Sequence, residues 1–388
     1  MVDYQLLVTR LQGLSYLLGG FLTFVSILSL LRFMGEREEC PVAKDEEEDS
    51  WVVKEALTIV DIIQETEDIK TFRLQRAEQG LFPPFLEGQF LSFFIGDPEK
   101  KILRSYSISS SPLNRKILNI SVKLLRDGIG SSWFHNREIG DTVIAVPPTG
   151  LFSPGLLPSK DVDLILVAGG IGITPILSIV RAAVDTMRPA TVLLFYAARS
   201  RSDLAFHDLL SHYVRVFKNF KYYPIIEVDD EKWTGLKGRL TMDIMKQKID
   251  DLKSNHYYFC GPPPMTESLS SALKEDGVSE DNIHIERFAS PEVLDDTKFE
   301  EKEVTVKFNG KNLNYKSQKT LLEFLEEKEI NLSFGCRNGV CGLCKAHLLA
   351  GEVQQLTRDG LSKQEQKDGY ILSCVSRPQT DIELEAED

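Results

Sequence analysis

Gly335-Cys336-Arg337-Asn338-Gly339-Val340-Cys341-Gly342-Leu343-Cys344 is the most informative segment of this 388-residue chain. Its cysteines follow C-x4-C-x2-C, and a fourth, Cys374, stands alone after 29 intervening residues. That is the plant-type spacing of a [2Fe–2S] centre, in which one tight loop supplies three of the four thiolates to two bridged irons. Glycines at 335, 339 and 342 let the backbone wrap closely and turn N–H groups toward sulfur. Structural zinc also takes four cysteines, more often as two short C-x2–4-C knuckles, and Cys374 has no such companion. The spacing predicts Cys336, Cys341, Cys344 and Cys374 as ligands of a cluster that handles single electrons.

The chain has room for two or three domains, and 42% hydrophobic with 27% charged residues is ordinary globular composition. Of six cysteines, the four above leave only Cys40 and Cys260, which is no disulfide framework and suits a reducing compartment. The net charge of -13 argues against nucleic acid as a partner. Residues 36–50 hold eight acids and two bases, so six of those charges sit in one short stretch. The segment 303–388 carries fourteen acids and eleven bases, only -3. The acidic balance therefore mostly describes a solvated linker.

Leu11 to Leu31 contains no charged residue. At roughly 1.5 Å per residue this run spans about 30 Å, the thickness of a bilayer core. A cleaved signal peptide would need a basic start, a shorter apolar core and a small-residue cleavage site. This segment begins with Asp3 and ends at Leu31-Arg32-Phe33-Met34. The expectation is a retained single transmembrane helix in 1–34, a lipid-bilayer contact through 11–31, and an acidic linker over 35–50. Arg32, Arg37 and Lys44 follow the span and only Arg10 precedes it, which places the soluble part on the cytoplasmic side of the membrane.

Residues 51–155 read as short strands rich in Ile, Val and Phe (57–63, 71–74, 89–95, 117–124, 142–146) divided by Gly and Pro turns, the pattern of an antiparallel β-barrel. Over 156–290, the apolar runs 163–168, 191–197 and 256–260 alternate with helical segments, predicting an α/β domain with a parallel sheet covered on both faces. Residues 291–302 are a polar connection. The segment 303–388 opens with a hairpin turning at Asn309-Gly310.

Three further motifs carry chemistry. Arg104-Ser105-Tyr106-Ser107 joins a cation, a ring and hydroxyls; on a strand, Arg104 and Tyr106 share one face, suited to a phosphate and a flat heterocycle. Gly128-Ile129-Gly130-Ser131-Ser132 opens a helix and offers N–H groups to a pyrophosphate. Gly169-Gly170-Ile171-Gly172-Ile173-Thr174-Pro175 joins a buried strand to a helix, with Thr174 expected as N-cap and Pro175 at the first helical position. Pro175 stands where the dinucleotide fingerprint has its third glycine, so an ordinary strand–helix turn is the alternative. Cys260-Gly261-Pro262-Pro263-Pro264 ends another strand at the same edge of the sheet, and a role at the nicotinamide is favoured for Cys260. The six histidines (135, 207, 212, 256, 284 and 347) show no metal-ligand spacing.

In this order the motifs resemble the ferredoxin–NADP reductase superfamily with a C-terminal plant-type ferredoxin domain, the reductase components of oxygenase and hydroxylase systems. The resemblance covers about 51–388. It implies a flavin-binding barrel, an NAD(P)-binding sheet and a β-grasp (α+β) ferredoxin domain, with FAD rather than FMN. By that likeness Arg104, Tyr106 and Ser107 hold the flavin, with Gly128, Ser131 and Ser132 at its pyrophosphate, and Ser105 and Lys123 join them as cofactor contacts. Gly169, Gly170, Gly172, Thr174, Cys260, Gly261 and Pro262 line the nicotinamide dinucleotide. Phe288 matches a family aromatic near the flavin, with a core Phe as the alternative. Arg199 and Arg201 are the candidates to meet a 2′-phosphate, leaving NADH and NADPH both open. The implied flow is hydride from NAD(P)H to FAD and single electrons to the cluster, with no general acid or base required. The expected acceptor is a membrane-associated oxygenase, hydroxylase or desaturase. A soluble Rieske oxygenase or hybrid-cluster enzyme, and a membrane redox sensor without turnover, are the alternatives.

Overall fold

Ile, Leu and Phe at alternate positions build the first unit of the computed structural model, which describes residues 54–386 except 78–79, 97–101, 229–230, 289–301, 331 and 338. The expected apolar span 11–31 and acidic linker 35–50 lie outside the described residues; among those described, no helix is long and apolar enough to cross a membrane. Strands β1 (Glu55–Gln64), β2 (Ile69–Arg76), β3 (Phe90–Phe94), β4 (Leu103–Ser107), β5 (Leu118–Lys123) and β6 (Thr142–Thr149) form one antiparallel sheet in the order β4-β3-β6-β1-β2-β5. An Ile108–Ile120 bridge brings the edge beyond β4 onto β5 and curls the sheet into a barrel. Leu57, Ile59, Phe72, Leu74, Leu91 and Phe93 fill its interior, every second residue as a period of two requires. The helix Ile129–His135 adds Phe134 to that core, edge-on to Phe93 and Tyr106 at ring distances of 5.0 Å.

The second unit is an all-parallel sheet, β10-β9-β8-β7-β11-β12, made of β7 (Leu164–Gly169), β8 (Val192–Ala198), β9 (Phe220–Ile226), β10 (Leu236–Lys237), β11 (His256–Cys260) and β12 (Ile283–Glu286). Its strands are continuously apolar because both faces are covered. Leu164, Leu166 and Ala168 enter one core with Ile176, Leu177 and Val180 of the helix Ile173–Asp185. Ile165 and Val167 enter the other with Leu269 and Leu273 of the helix Pro263–Glu275.

The start of the helix Ile173–Asp185 differs from expectation. Gly172 occupies the N-cap place, because a 3-10 turn over Gly170–Gly172 already holds helical backbone. Thr174 therefore lies in the first turn, its hydroxyl donating to the Ile171 carbonyl at 3.1 Å. Pro175, one residue further on, is tolerated because first-turn N–H groups have no intrahelical partner.

The third unit pairs β13 (Lys302–Phe308), β14 (Lys311–Ser317), β15 (Lys345–Ala350), β17 (Tyr370–Leu372) and β19 (Ile382–Glu385) in the order β14-β13-β19-β15-β17. A small ribbon joins β16 (Val353–Gln355) to β18 (Ser376–Pro378). Asn309 and Gly310 turn the first hairpin with φ of 45° and 79°, both in the left-handed region that a two-residue hairpin turn demands. β13 and β19 run parallel, and the helix Leu321–Glu327, started by a Thr320–Glu323 capping box, buries Leu321, Leu322, Phe324 and Leu325 on the sheet. This is the α+β grasp.

Candidate cofactor clefts and cluster loop

An open cleft of about 1100 Å3 runs along the barrel and is lined by Arg104, Ser105, Tyr106, Ser107, Lys123, Gly128 and Ser131. Arg104 and Tyr106 share a face of β4, and Gly130 lets the first turn of the helix Ile129–His135 close on both. A Cβ at 130 would stand 2.6 Å from the Tyr106 hydroxyl and 2.7 Å from Arg104 Cγ. Burial pushes the Tyr106 phenol up, against the Arg104 charge, so the ring stays neutral. Ser107 Oγ is buried with no partner among the described residues, and such an atom calls for one from a bound group. The polar edge of a flavin ring supplies that chemistry, so the residues present fit the group. Ser131 Oγ is engaged in its own turn, donating to the Gly128 carbonyl and accepting from Leu125 N–H, both at 3.1 Å. Ser132 lines neither this cleft nor the next. Phe288 lines the cleft and is 50% exposed, which removes the core alternative.

The serines after β4 serve another purpose. The Ser110 carbonyl accepts from Ser178 and the Ser109 carbonyl from Arg181, both at 2.7 Å. These bonds fasten the barrel to the helix Ile173–Asp185 and so place the glycine loop before that helix.

That loop walls two clefts. A second cleft, of about 1750 Å3, is lined by Gly169, Gly170, Arg199 and Pro262, while Ile171 and Thr174 face the first. Lys123 lines both and pairs with Asp68 at 3.1 Å. β7 and β11 lie side by side with Ala168 opposite Cys260, so the loops that follow meet backbone to backbone. A Cβ on Gly172 would sit 2.1 Å from the Cys260 carbonyl oxygen, and one on Gly261 2.9 Å from Gly169 N. Gly170 has φ of 54° and open space where a side chain would be, a cradle for a group that approaches the backbone closely.

Gly172 and Gly261, pressed into that backbone contact, join Ser132 in lining neither cleft, and two more expected residues, Cys260 and Arg201, fall elsewhere. The Cys260 side chain is packed in the sheet core and lines neither cleft; burial pushes its thiol up, with the Glu286 carboxylate adding to the effect. Arg201 faces a neighbouring groove with Arg181 and His207. Sequence reasoning missed Glu286 in the first cleft and Asp203, Glu227 and Arg239 in the second. The last two follow β9 and β10, and only the sheet order brings them to the cleft. Glu286 lies two residues before Phe288 in the sequence; burial, then Asp359 and Cys336, push its carboxyl up to about 8.

Cys336, Cys341 and Cys344 of the cluster loop and Cys374 of the turn Ser373–Val375 are all buried. Arg337, Gly339 and Gly342 take φ of 57°, 73° and 76°, left-handed turns that fold the loop around its sulfurs. The Cys336 N–H donates to Cys341 Sγ at 3.4 Å. A buried thiol set with a backbone N–H aimed at sulfur fits an iron–sulfur cluster.

The loop lies against the barrel. Phe334 packs on Phe94, Leu103 and Val146, and Val340 lines the first cleft. On the parallel-sheet side, Lys363 pairs with Asp281, and Arg287 lies 3.5 Å from Asp359.

Comparison with known proteins agrees with this geometry. A family model of the oxidoreductase FAD-binding domain matches 56–153, the oxidoreductase NAD-binding domain 166–271, and the 2Fe-2S iron-sulfur cluster binding domain 306–379. The glycine betaine monooxygenase reductase subunit of Chromohalobacter salexigens is 30% identical over 347 residues, spanning 84% of this chain and 94% of that protein. Phthalate dioxygenase reductase, a modular structure for electron transfer from pyridine nucleotides to [2Fe–2S], is 25% identical with a TM-score of 0.58 over 85% of this chain and 97% of its own. Full-length CYP116B46 of Tepidiphilus thermophilus is 26% identical with a TM-score of 0.65 over 86% of this chain, which spans 41% of that longer protein. FAD, NAD(P)H and a [2Fe–2S] cluster are thus the cofactors of an oxidoreductase, and the chain belongs to the ferredoxin–NADP reductase family, in the branch that carries a C-terminal [2Fe–2S] domain.

Proposed function

We propose that this chain is the membrane-tethered reductase component of an oxygenase, hydroxylase or desaturase system, drawing electrons from NAD(P)H and passing them singly to its partner. The observation that carries the reductase reading is the shared wall: one glycine loop borders both clefts, and Val340 of the cluster loop borders the first. Bound FAD supplies the conversion between a two-electron donor and a one-electron acceptor.

The chain's own residues do the positioning. Arg104, Tyr106 and the Ser107 hydroxyl would hold the flavin, with the Gly128–Ser131 turn at its pyrophosphate and Phe288 lining the cleft. Gly170, Pro262 and Arg199 would seat the dinucleotide, and Ile171 and Thr174 of the same loop line the flavin cleft. Cys336, Cys341, Cys344 and Cys374 hold the cluster. In this reading 51–155, 156–290 and 303–388 are the three working domains and 1–34 the anchor.

The anchor is supported by the uncharged run Leu11–Leu31 and the basic residues after it, and the oxygenase by the relatives, a glycine betaine monooxygenase reductase subunit and phthalate dioxygenase reductase. Confining both partners to one plane raises their effective concentration. Deleting residues 1–35 tests this: dye reduction by NADH or NADPH persists, while electron delivery in native membranes falls. Equal delivery by the truncated form removes the membrane tether from the reading and favours a soluble oxygenase.

A further inference from the structure

Gln89-Phe90-Leu91-Ser92-Phe93-Phe94 should alternate if β3 were an ordinary barrel strand, yet all of β3 is buried. Leu91 and Phe93 enter the barrel core. Phe90 and Phe94, spaced by four and therefore on the opposite face, are covered by the ferredoxin unit instead. Phe94 takes Phe334. Phe90, 3% exposed, forms one buried apolar cluster with Cys336 and Cys341, and Val340 packs against it. Both Phe90 and Val340 also line the cleft that holds Arg104 and Tyr106. On the sheet, Phe90 stands opposite Ser107 and Thr149. Gly150 keeps its place clear: at φ of 124°, a Cβ there would press to 3.1 Å from the Phe90 ring.

We propose that Phe90, with Val340, is the positioning residue that couples the flavin to the cluster. One ring and one isopropyl group hold the Cys336–Cys341 edge of the cluster against the flavin cleft at a fixed separation and keep water out of the gap. In each passage one electron leaves the reduced flavin and enters the oxidised cluster. Two passages and release of one proton regenerate the flavin that NAD(P)H reduced, the external acceptor emptying the cluster between them. Transfer therefore occurs within the docked arrangement. The inference rests on the reading that the flavin occupies the cleft lined by Arg104 and Tyr106.

The test is anaerobic stopped-flow reduction of the full-length holoprotein, following flavin and cluster absorbance separately in Phe90→Ala, Phe90→Leu and Val340→Ala. In Phe90→Ala, saturated with FAD and with its FAD and iron contents measured, cluster reduction is expected to slow roughly tenfold or more relative to flavin reduction in the same sample, as small misplacements at a reacting contact do. Phe90→Leu restores much of the rate, and Val340→Ala, which alters the other side of the contact, shows the same selective loss. Amide exchange over 336–344 rises in Phe90→Ala, and the reduced cluster keeps its EPR g-values. Unchanged cluster reduction in both alanine variants overturns the proposal, as does loss of FAD in step with the rate, which marks plain structural damage. Arg104→Ala separates the two ideas: if it keeps FAD, the cleft reading fails, whereas FAD loss there with normal Phe90→Ala kinetics refutes only the coupling.

Discussion

Gly172 is pressed against the carbonyl of Cys260 so closely that a single methyl group has no room, since a Cβ would lie 2.1 Å from that oxygen. The opposing atom is backbone at the end of a buried parallel strand and cannot swing aside. Gly172→Ala is therefore expected to lower stability by about 2 kcal/mol or more and to weaken dinucleotide binding, because the two loops must part. Thermal melting and KM for NADH and NADPH check both effects.

Phe334 is held from two sides, by the Arg337 guanidinium 4.1 Å from its ring centroid and by Phe94, Leu103 and Val146 of the barrel. Phe334→Ala should cost about 1–2 kcal/mol of docking. Amide exchange in the cluster loop increases and flavin-to-cluster transfer slows, while flavin reduction by NAD(P)H keeps its rate.

Arg199 lines the nucleotide cleft at the carboxyl end of β8, where the adenosine end of a dinucleotide lies in such sheets. Arg199→Ala is expected to raise KM for the preferred donor by roughly tenfold with kcat nearly unchanged, the signature of lost uniform binding. Arg201→Ala, facing the neighbouring groove, leaves both constants alone.

Cys344→Ser removes one thiolate from a set of four. The variant should lose the cluster's visible absorption and its share of iron, yet keep FAD and oxidise NAD(P)H with a flavin-level dye, since the two clefts lie outside the loop's ligand set. Loss of FAD as well would contradict the separation.

His256 Nδ1 and His284 Nε2 lie 3.2 Å apart, and His284 stacks on Tyr258. Burial first, then the His256 and Lys363 charges, push His284 down to about 4, with Asp281 opposing; burial and Arg188 lower His256 as well. An unfolded chain binds these protons more readily than the folded one, so stability is full above about pH 6.5 and is lost as pH falls toward 4. Melting temperature against pH should show that slope, and His284→Gln should flatten it.

Much of this was legible in the sequence because periodicity encodes burial directly. The alternation of Leu57 and Ile59 and the unbroken run of Leu164–Ala168 announce a one-faced and a two-faced sheet. Spacing alone named the four cysteines, and the hairpin at Asn309-Gly310 followed from its turn chemistry. Thr174 was expected as N-cap two residues too late because a 3-10 turn over three glycine-loop residues has no signature that separates it from a loop. Cys260 looked like a site residue because its glycine and proline neighbours are shaped for backbone contact, and that contact turned out to be with Gly172. Arg239 and Glu227 were invisible because their relevance depends on strand order, a long-range property. Phe90 left a trace, an apolar run too continuous for a barrel strand, but only the docked third unit gives it meaning.

A loop that borders two compartments couples their histories. Gly169 and Gly170 line one cleft and Ile171 and Thr174 the other, so a substitution that shifts this loop is expected to reach both, and the segment is a poor place for selection to retune donor choice. The residues able to shift toward one dinucleotide or the other are those that line the second cleft alone, Arg199, Asp203, Glu227 and Arg239. Donor preference is thus evolvable without disturbing the flavin, and a library confined to those four positions should yield switched donors that keep their cofactor.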